Sequence, residues 1–302
     1  MARGLLCFCG GVLPGGEGQS GMDCPQKRWV MPGPLPEKLA VAVTFFFKES
    51  RFQYLRRVCE EFKNFAASVQ VHICTNSSET ERLVAASSLC NAGNVQYAFH
   101  VPNLLGHPYL LTWIHRQVFT ELYAQDASIT HFLYLEDDTL VLPRNVAYWL
   151  RGRELLRKTR QYPSFVRYEL RRGDGRAYVV DQAESQCMRA LPYLTVSEEY
   201  AFINLPNPYQ GMYLLDRELM GEFLRSPAVN PDYGVWNIRE KAAQGLTFVA
   251  VPKGFYSRNL TGYLRKQGLP DPDCLVRHLP ANYTHSPQYV AGKVPVEALC
   301  LP

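Results

Sequence analysis

The sequence predicts an α/β protein with a mostly parallel central sheet flanked by helices. Three observations carry that expectation. Strand-like and helix-like segments alternate across residues 39–160, the pattern of a doubly wound sheet. The first of them, Leu39–Phe47 (LAVAVTFFF), is a near-continuous apolar run, as a parallel strand covered on both faces requires. The run His131–Leu142 begins with strand-forming Phe, Leu and Tyr and then meets three consecutive carboxylates, Glu136, Asp137 and Asp138. Ligands of open α/β sheets bind beyond the carboxyl ends of strands, so acids at such a point face a crevice.

The elements follow in order. After the first strand, Ser50 caps a helix in which Phe52, Tyr54, Leu55, Val58 and Phe62 recur at helical spacing. Val69–Cys74 is the second strand, and the polar turn Thr75–Ser78 leads into a helix over Glu79–Leu89. Asn94–Val101 is the third strand, Pro102–Pro108 a loop, and Tyr109–Tyr123 a helix whose apolar stripe puts Trp113 in the core. The acidic strand comes next, with a helix from about Pro143. Ser164–Leu170 and Arg176–Asp181 flank an Asp-Gly turn and form a hairpin. Tyr209–Leu215 is a strand leading into a helix over Arg217–Leu224. A helix over Val235–Gln244 stops at Gly245, and Leu246–Val251 is a further buried strand closed by Pro252. After Gly254 the chain is loop-rich. Residues 38–160 then form one half, 161–302 a mixed half, and both are fused over one sheet. The Gly/Pro-rich residues 1–37 lack the apolar surface to offset ordering entropy and are expected to be disordered.

A length of 302 residues leaves ample material for a core, and 47% hydrophobic with 20% charged residues is ordinary for a soluble globular chain. The net charge of +4 is small and the basic residues are scattered, which argues against nucleic acid as a partner. The nine cysteines lack zinc-ligand spacing; Cys59, Cys74 and Cys90 fall in apolar periodic segments and point to a reducing, cytoplasmic setting. Three Asn-X-Ser/Thr triplets, at Asn76, Asn259 and Asn282, weigh slightly the other way. No run approaches the roughly 20 apolar residues of a membrane span. The Leu5–Cys9 patch is shorter than the ~7–15 residue core of a signal peptide. Peripheral membrane contact is left open.

Three adjacent acids repel one another unless a cation or hydrogen-bond donors hold them. An all-oxygen cluster suits a hard divalent ion, Mg2+ or Mn2+. The plain alternative is a solvated acidic turn before the next helix.

These segments, in this order, resemble a GT-A glycosyltransferase, with Rossmann-like nucleotide-sugar binding. Phe46–Arg51 with Tyr54–Arg57 is similar to the first strand-to-helix turn of family 2 transferases. Glu136-Asp137-Asp138 is similar to the Glu-Asp-Asp form of the Asp-X-Asp motif of N-acetylglucosaminyltransferases. Gln210–Tyr213 resembles an acceptor-side segment whose glycine lets backbone approach the donor, and Val251–Arg258 the strand exit after the base helix. His278 sits where such enzymes place a C-terminal metal-ligating histidine.

The resemblance implies a hexosyl transfer from a nucleoside-diphosphate sugar to a carbohydrate or other hydroxyl acceptor, aided by Mn2+ or Mg2+. Asp138 would ligate the metal, with His278 as a further ligand. Asp137 or Glu136 would accept a hydrogen bond from ribose or hold a water on the metal. Phe47, Glu49 and Arg51, with Asn76 in the next strand-to-helix turn, would bind the donor, and Arg258 would balance diphosphate charge. The Glu-Asp pair that marks the base helix of family 2 enzymes is absent, so the general base is Asp232, Glu240 or neither of them. Tyr209 and Trp236 are placed to stack on an acceptor sugar. Two other readings share the layout: a sugar nucleotidyltransferase and a non-catalytic carbohydrate-binding protein. The first normally carries a glycine-rich phosphate loop after strand one, and Phe47–Arg51 holds no glycine.

Overall fold

The computed structural model describes residues 35–104, 107–182 and 191–299. The segment expected to be disordered, 1–37, therefore falls outside the described residues except for 35–37.

Strand β1 (Lys38–Phe45) is buried along nearly its whole length, and a tight turn at Glu49–Arg51 opens helix α1 (Phe52–Cys59). Then come β2 (Ser68–Thr75), α2 (Glu79–Ala86) and β3 (Val95–His100). The expected helix from Tyr109 starts as 3-10 turns over Pro108–Trp113 and becomes α3 only at Ile114–Gln125. Strand β4 (His131–Glu136) carries the acids at its end, followed by the two-residue β5 (Thr139–Leu140) and α4 (Pro143–Leu156). Pro143 takes the first helical position, where its missing N–H costs nothing. The Asn145 side chain accepts from the Leu142 N–H at 2.7 Å.

Short strands dominate the rest: β6 (Tyr162–Ser164), β7 (Val166–Leu170), β8 (Ala177–Val179), β9 (Tyr193–Thr195), β10 (Tyr200–Ile203) and β11 (Met212–Asp216). Helices α5 (Arg217–Arg225) and α6 (Ile238–Lys241) precede β12 (Asn259–Leu264), β13 (Leu269–Pro270), β14 (Leu275–His278), α7 (Asn282–His285) and β15 (Val294–Pro295).

The central sheet has the order β11-β4-β1-β2-β3. β1 runs parallel to β2 and β4, β2 runs parallel to β3, and only β11 is antiparallel, with Met212 opposite Leu135. The mostly parallel sheet is as expected. The single sheet is not: two more follow, β13-β12-β10-β9 with β6 on β12, and β15-β8-β7-β14-β5, the last borrowing β5 from the first half. The stretch after Gly254, expected to be loop-rich, also contributes β12 and β14, which are interior strands of these sheets.

Two local expectations also give way. Leu246–Val251 is a series of turns, with the Thr247 N–H bonded to Gln244 O and Val249 N–H to Leu246 O. Gly245 and Ala250, both at φ 50, reverse the chain on either side, and a run this short satisfies its backbone locally. The helix expected over Val235–Gln244 contracts to Ile238–Lys241 because Asn237 caps it, accepting from the Arg239 and Glu240 N–H groups.

The core spans the central sheet and α4, with Phe45, Phe132, Tyr134, Trp149 and Tyr213 sealed from solvent. His115 is buried in it, its ring 4.0 Å from that of Tyr134 and its Nδ1 2.6 Å from Thr112 O. Burial pushes its pKa down to about 3, against a smaller opposing effect of the Thr112 carbonyl.

Two outcomes are expected. Gly152 lies inside α4 where a Cβ would stand 2.6 Å from Pro163 Cγ and 3.1 Å from Phe202 Cζ. Gly152→Ala should therefore lose about 1–3 kcal/mol by overpacking rather than gain the ~1 kcal/mol of helix propensity, as read by urea unfolding. Below pH 6.5 the unfolded chain protonates His115 and the native state does not, so stability falls as pH drops from 6.5 toward 3. His115→Gln should flatten the acid side of the stability profile by up to about 1.4 kcal/mol per pH unit, and an unchanged slope would refute a neutral buried imidazole.

Candidate functional site

A cleft of about 610 Å³ opens where β1 and β4 end, and Arg51, Glu136, Asp137, Asp138, Arg239 and His278 are among the residues that line it. Parallel pairing sets the acids there: Glu136 lies opposite Thr44, and the Asp137 N–H donates to Thr44 O at 3.1 Å. Strand alternation cannot continue through three acids in a row. The chain turns, and both Asp137 and Asp138 become buried.

Arg51 crosses to them from the turn after β1. Its Nε and Nη2 reach Asp137 Oδ2 and Oδ1 at 3.0 and 2.7 Å, and Nη2 also reaches Asp138 Oδ2 at 2.8 Å. One guanidinium thus spans two carboxylates, a pairing suited to its planar fork. Burial, and then the neighbouring Asp138 charge, push Asp137 up to about 8 against the pull of Arg51. The same two causes raise Glu136. Asp138 goes the other way: burial alone would raise it, but His278 and Arg51 hold it well below the usual carboxylate range.

The histidine arrives through pairing between distant strands. β14 pairs antiparallel with β5, setting His278 opposite Thr139, and the Leu279 N–H donates to Asp138 O at 2.9 Å. On its other side β14 runs parallel to β7, which delivers Glu169. His278 Nδ1 lies 2.6 Å from Glu169 Oε1, and Nε2 lies 3.5 Å from Asp138 Oδ2. The fully buried Glu169 also accepts from the Thr284 N–H at 2.8 Å and the Tyr283 N–H at 3.3 Å. Burial opposes a charged imidazole, but the two carboxylates outweigh it and lift His278 to about 9. Glu169 therefore fixes the ring orientation, as carboxylates behind ligating histidines do.

Arg167, two residues before Glu169, forms the floor. It forks onto Asp181 at 2.9 and 2.6 Å and lies over the Tyr209 ring at 4.9 Å. Gly211, at φ 63, passes so close that a Cβ there would stand 2.7 Å from Arg167 Nη1. Its lack of a side chain accommodates this guanidinium.

Of the residues singled out from sequence, Arg51, Glu136, Asp137, Asp138, Glu240 and His278 line the one cleft, with Tyr209 and Trp236. Phe47, Glu49 and Asn76 do not line it. The Asn76 side chain instead accepts from the Phe47 N–H at 2.5 Å, tying the ends of β1 and β2, and Glu49 is exposed. Arg258 is a clear correction: 3% exposed, it forks onto Glu222 at 2.6 and 3.0 Å and donates to Arg160 O, away from the cleft lining. Asp232 is another. It is exposed, does not cap α6, and is absent from the lining, whereas Glu240 faces the cleft. Cys90, expected in the core, is exposed. Sequence reasoning missed Arg167, Glu169, Asp181 and Arg239; only the alternation in Val166–Leu170, which sets Arg167 and Glu169 on one strand face, hinted at them.

Among the described residues no group of three or more His, Cys, Asp or Glu side chains is arranged to enclose a metal. The donor set still fits an ion that keeps ligand and water oxygens. Asp138 Oδ1 is buried without a hydrogen-bond partner, and His278 stands beside the same carboxylate. Among the described residues no helix is long and apolar enough to cross a membrane.

No family model matches the chain, and no curated protein matches its sequence significantly. Among solved structures, the crystal structure of S. aureus TarS aligns over 61% of this chain and 29% of its own, at 12% identity and a TM-score of 0.35. The crystal structure of S. aureus TarS 1-349 aligns over 69% of this chain and 56% of its own, at 12% identity and a TM-score of 0.37. The chain spans less than two thirds of either.

Removing Glu169 strands three donors in a buried place. Glu169→Ala should cost about 3–5 kcal/mol in chemical denaturation, and a loss under about 1 kcal/mol would mean that the His278 anchor is not intact.

Proposed function

We propose that the chain is a GT-A glycosyltransferase that moves a hexosyl group from a nucleoside-diphosphate sugar to a hydroxyl acceptor with Mn2+ or Mg2+. The observation that carries this reading is Asp138: buried beyond the end of a parallel strand in the lining of the cleft, held ionised by Arg51 and His278, with one buried oxygen left without a hydrogen-bond partner. In this reading the bond between the sugar anomeric carbon and the diphosphate oxygen breaks, and a bond to the acceptor oxygen forms. The acceptor proton passes to Glu240, the cleft-facing carboxylate of α6. The nucleoside diphosphate leaves with the bonding pair.

A divalent ion on Asp138, with His278 as a further ligand once the ion has displaced its ring proton, would supply charge neutralisation for that departing diphosphate. The chain's own cations do the rest. Lys48, Arg51 and Arg239 line the cleft and present positive charge to phosphate oxygens. Tyr209 and Trp236, edge to face at 5.1 Å, offer apolar rings to an acceptor. Buried Cys59 and Cys74 suit the cytoplasm as the place of action.

Arg51 supports a second reading. Because it already pairs with Asp137 and Asp138 in the cleft without a metal, a carbohydrate-binding protein on the same fold without turnover fits the same geometry. One experiment separates them. Nucleotide sugars are screened by thermal shift with Mn2+ or with chelator, on wild type and Asp138→Ala. One donor at 100 times its dissociation constant should stabilise the wild type by about 2.7 kcal/mol, and both chelator and the substitution should abolish the shift. Slow Mn2+-dependent hydrolysis of that donor marks the transferase; binding without any turnover marks the second reading. Pyrophosphate release from a nucleoside triphosphate and sugar phosphate would replace both with a nucleotidyltransferase.

A further inference from the structure

A second pair of metal-ligating side chains lies on β2 and β3, and neither member lines the cleft. The register sets His72 opposite Ala98 and Cys74 opposite His100, so both histidines stand on one face of the sheet. Their rings stack with centroids 5.2 Å apart and planes at 21°, and His72 Nδ1 lies 2.9 Å from His100 Nε2. Both are half-buried, so the pair remains open to a small ion.

Two ring nitrogens come this close either by sharing a proton or by binding one cation. Nitrogens at ~2.0–2.1 Å from one ion, set at right angles, stand about 2.9 Å apart. The observed separation is also 2.9 Å. Burial, and then the neighbouring ring, push the His72 pKa down to about 4, and burial lowers that of His100. Both imidazoles are therefore neutral near pH 7, with a lone pair available, and no proton need be expelled from an imidazolium. The exposed Glu121 of α3 is the carboxylate whose charge bears on both rings.

We propose that His72 and His100 form a two-nitrogen site for a divalent transition-metal cation, which clips edge strand β3 to β2. Imidazole suits Cu2+, Ni2+ and Zn2+, and affinity should be highest for Cu2+. Water completes the coordination, and the charge of Glu121 favours a cation there. The location gives the clip a purpose: β3 ends the central sheet, so one of its sides has no strand partner in that sheet. Edge strands are where sheets open or pair wrongly.

The test uses the full chain and the metals alone. Stoichiometric Cu2+ should give an electron paramagnetic resonance spectrum with hyperfine splitting from two imidazole nitrogens. His278→Gln should keep that spectrum, which separates the site from the cleft and from the fate of the proposed transferase. His72→Gln and His100→Gln should each lose at least one nitrogen. They should also lose the rise in melting temperature that Cu2+, and more weakly Zn2+, gives the wild type. If either variant fails to fold, the nitrogen count in wild type and His278→Gln decides alone. A wild-type spectrum without two imidazole nitrogens, or one that survives both His72→Gln and His100→Gln, overturns the proposal and leaves a pair that only shares a proton.

Discussion

The structure turns on the cost of removing three adjacent carboxylates from water. At the end of β4, Glu136, Asp137 and Asp138 sit where a strand should continue but the charge cannot be buried unanswered. The answers come from opposite directions. Arg51 reaches across from the turn after β1, and His278 arrives on β14. Neither would suffice alone, since Asp137 and Glu136 remain shifted toward the neutral form while Asp138 is held charged. The third sheet exists to bring His278 there: β5 is only two residues long, yet its pairing with β14 links the acid turn to Glu169.

The central sheet was legible because its signals are local. A buried parallel strand is an apolar run, and Leu39–Phe47, Val69–Cys74 and the start of His131–Leu142 announce themselves without reference to partners. The acid trio was legible for the same reason: three neighbouring charges need no alignment to stand out. Glu169 carried no such mark. It is one acid in an alternating strand, and its importance comes from a register with residues more than a hundred positions away. Arg258 misled for the converse reason. An arginine near the end of a predicted strand looks available, but Glu222, brought beside it by the fold, takes both arms of its guanidinium.

Glu240 sits between these cases. Its residue type made it a candidate base, but the helix around it was drawn too long. Four residues form α6, and Glu240 has a structural duty, accepting from the Asn237 N–H in a capping box. Trp113 reinforces the arrangement by donating its indole N–H to Ile238 O at 2.8 Å, which ties the wall before α3 to the same short helix. A side chain that caps a helix and faces a cleft has its position set by the fold before any ligand arrives. That favours it over Asp232, which lies in an exposed turn.

The histidines make the general point about what residue type leaves undetermined. His278 is buried and His72 half-buried, and both lie near another titratable ring or acid, yet their proton affinities move in opposite directions. His278 lies between Glu169 and Asp138, and the carboxylates overcome the burial that would otherwise neutralise it. His72 faces another imidazole, so its neighbour adds to the effect of burial instead of opposing it. A sequence records that a histidine is present and, through strand periodicity, which face it occupies. The sign of its charge is decided by what the other strands deliver to that face. In this chain the same side chain is a cation in the cleft and a neutral donor at the sheet edge, and only the tertiary pairing separates the two.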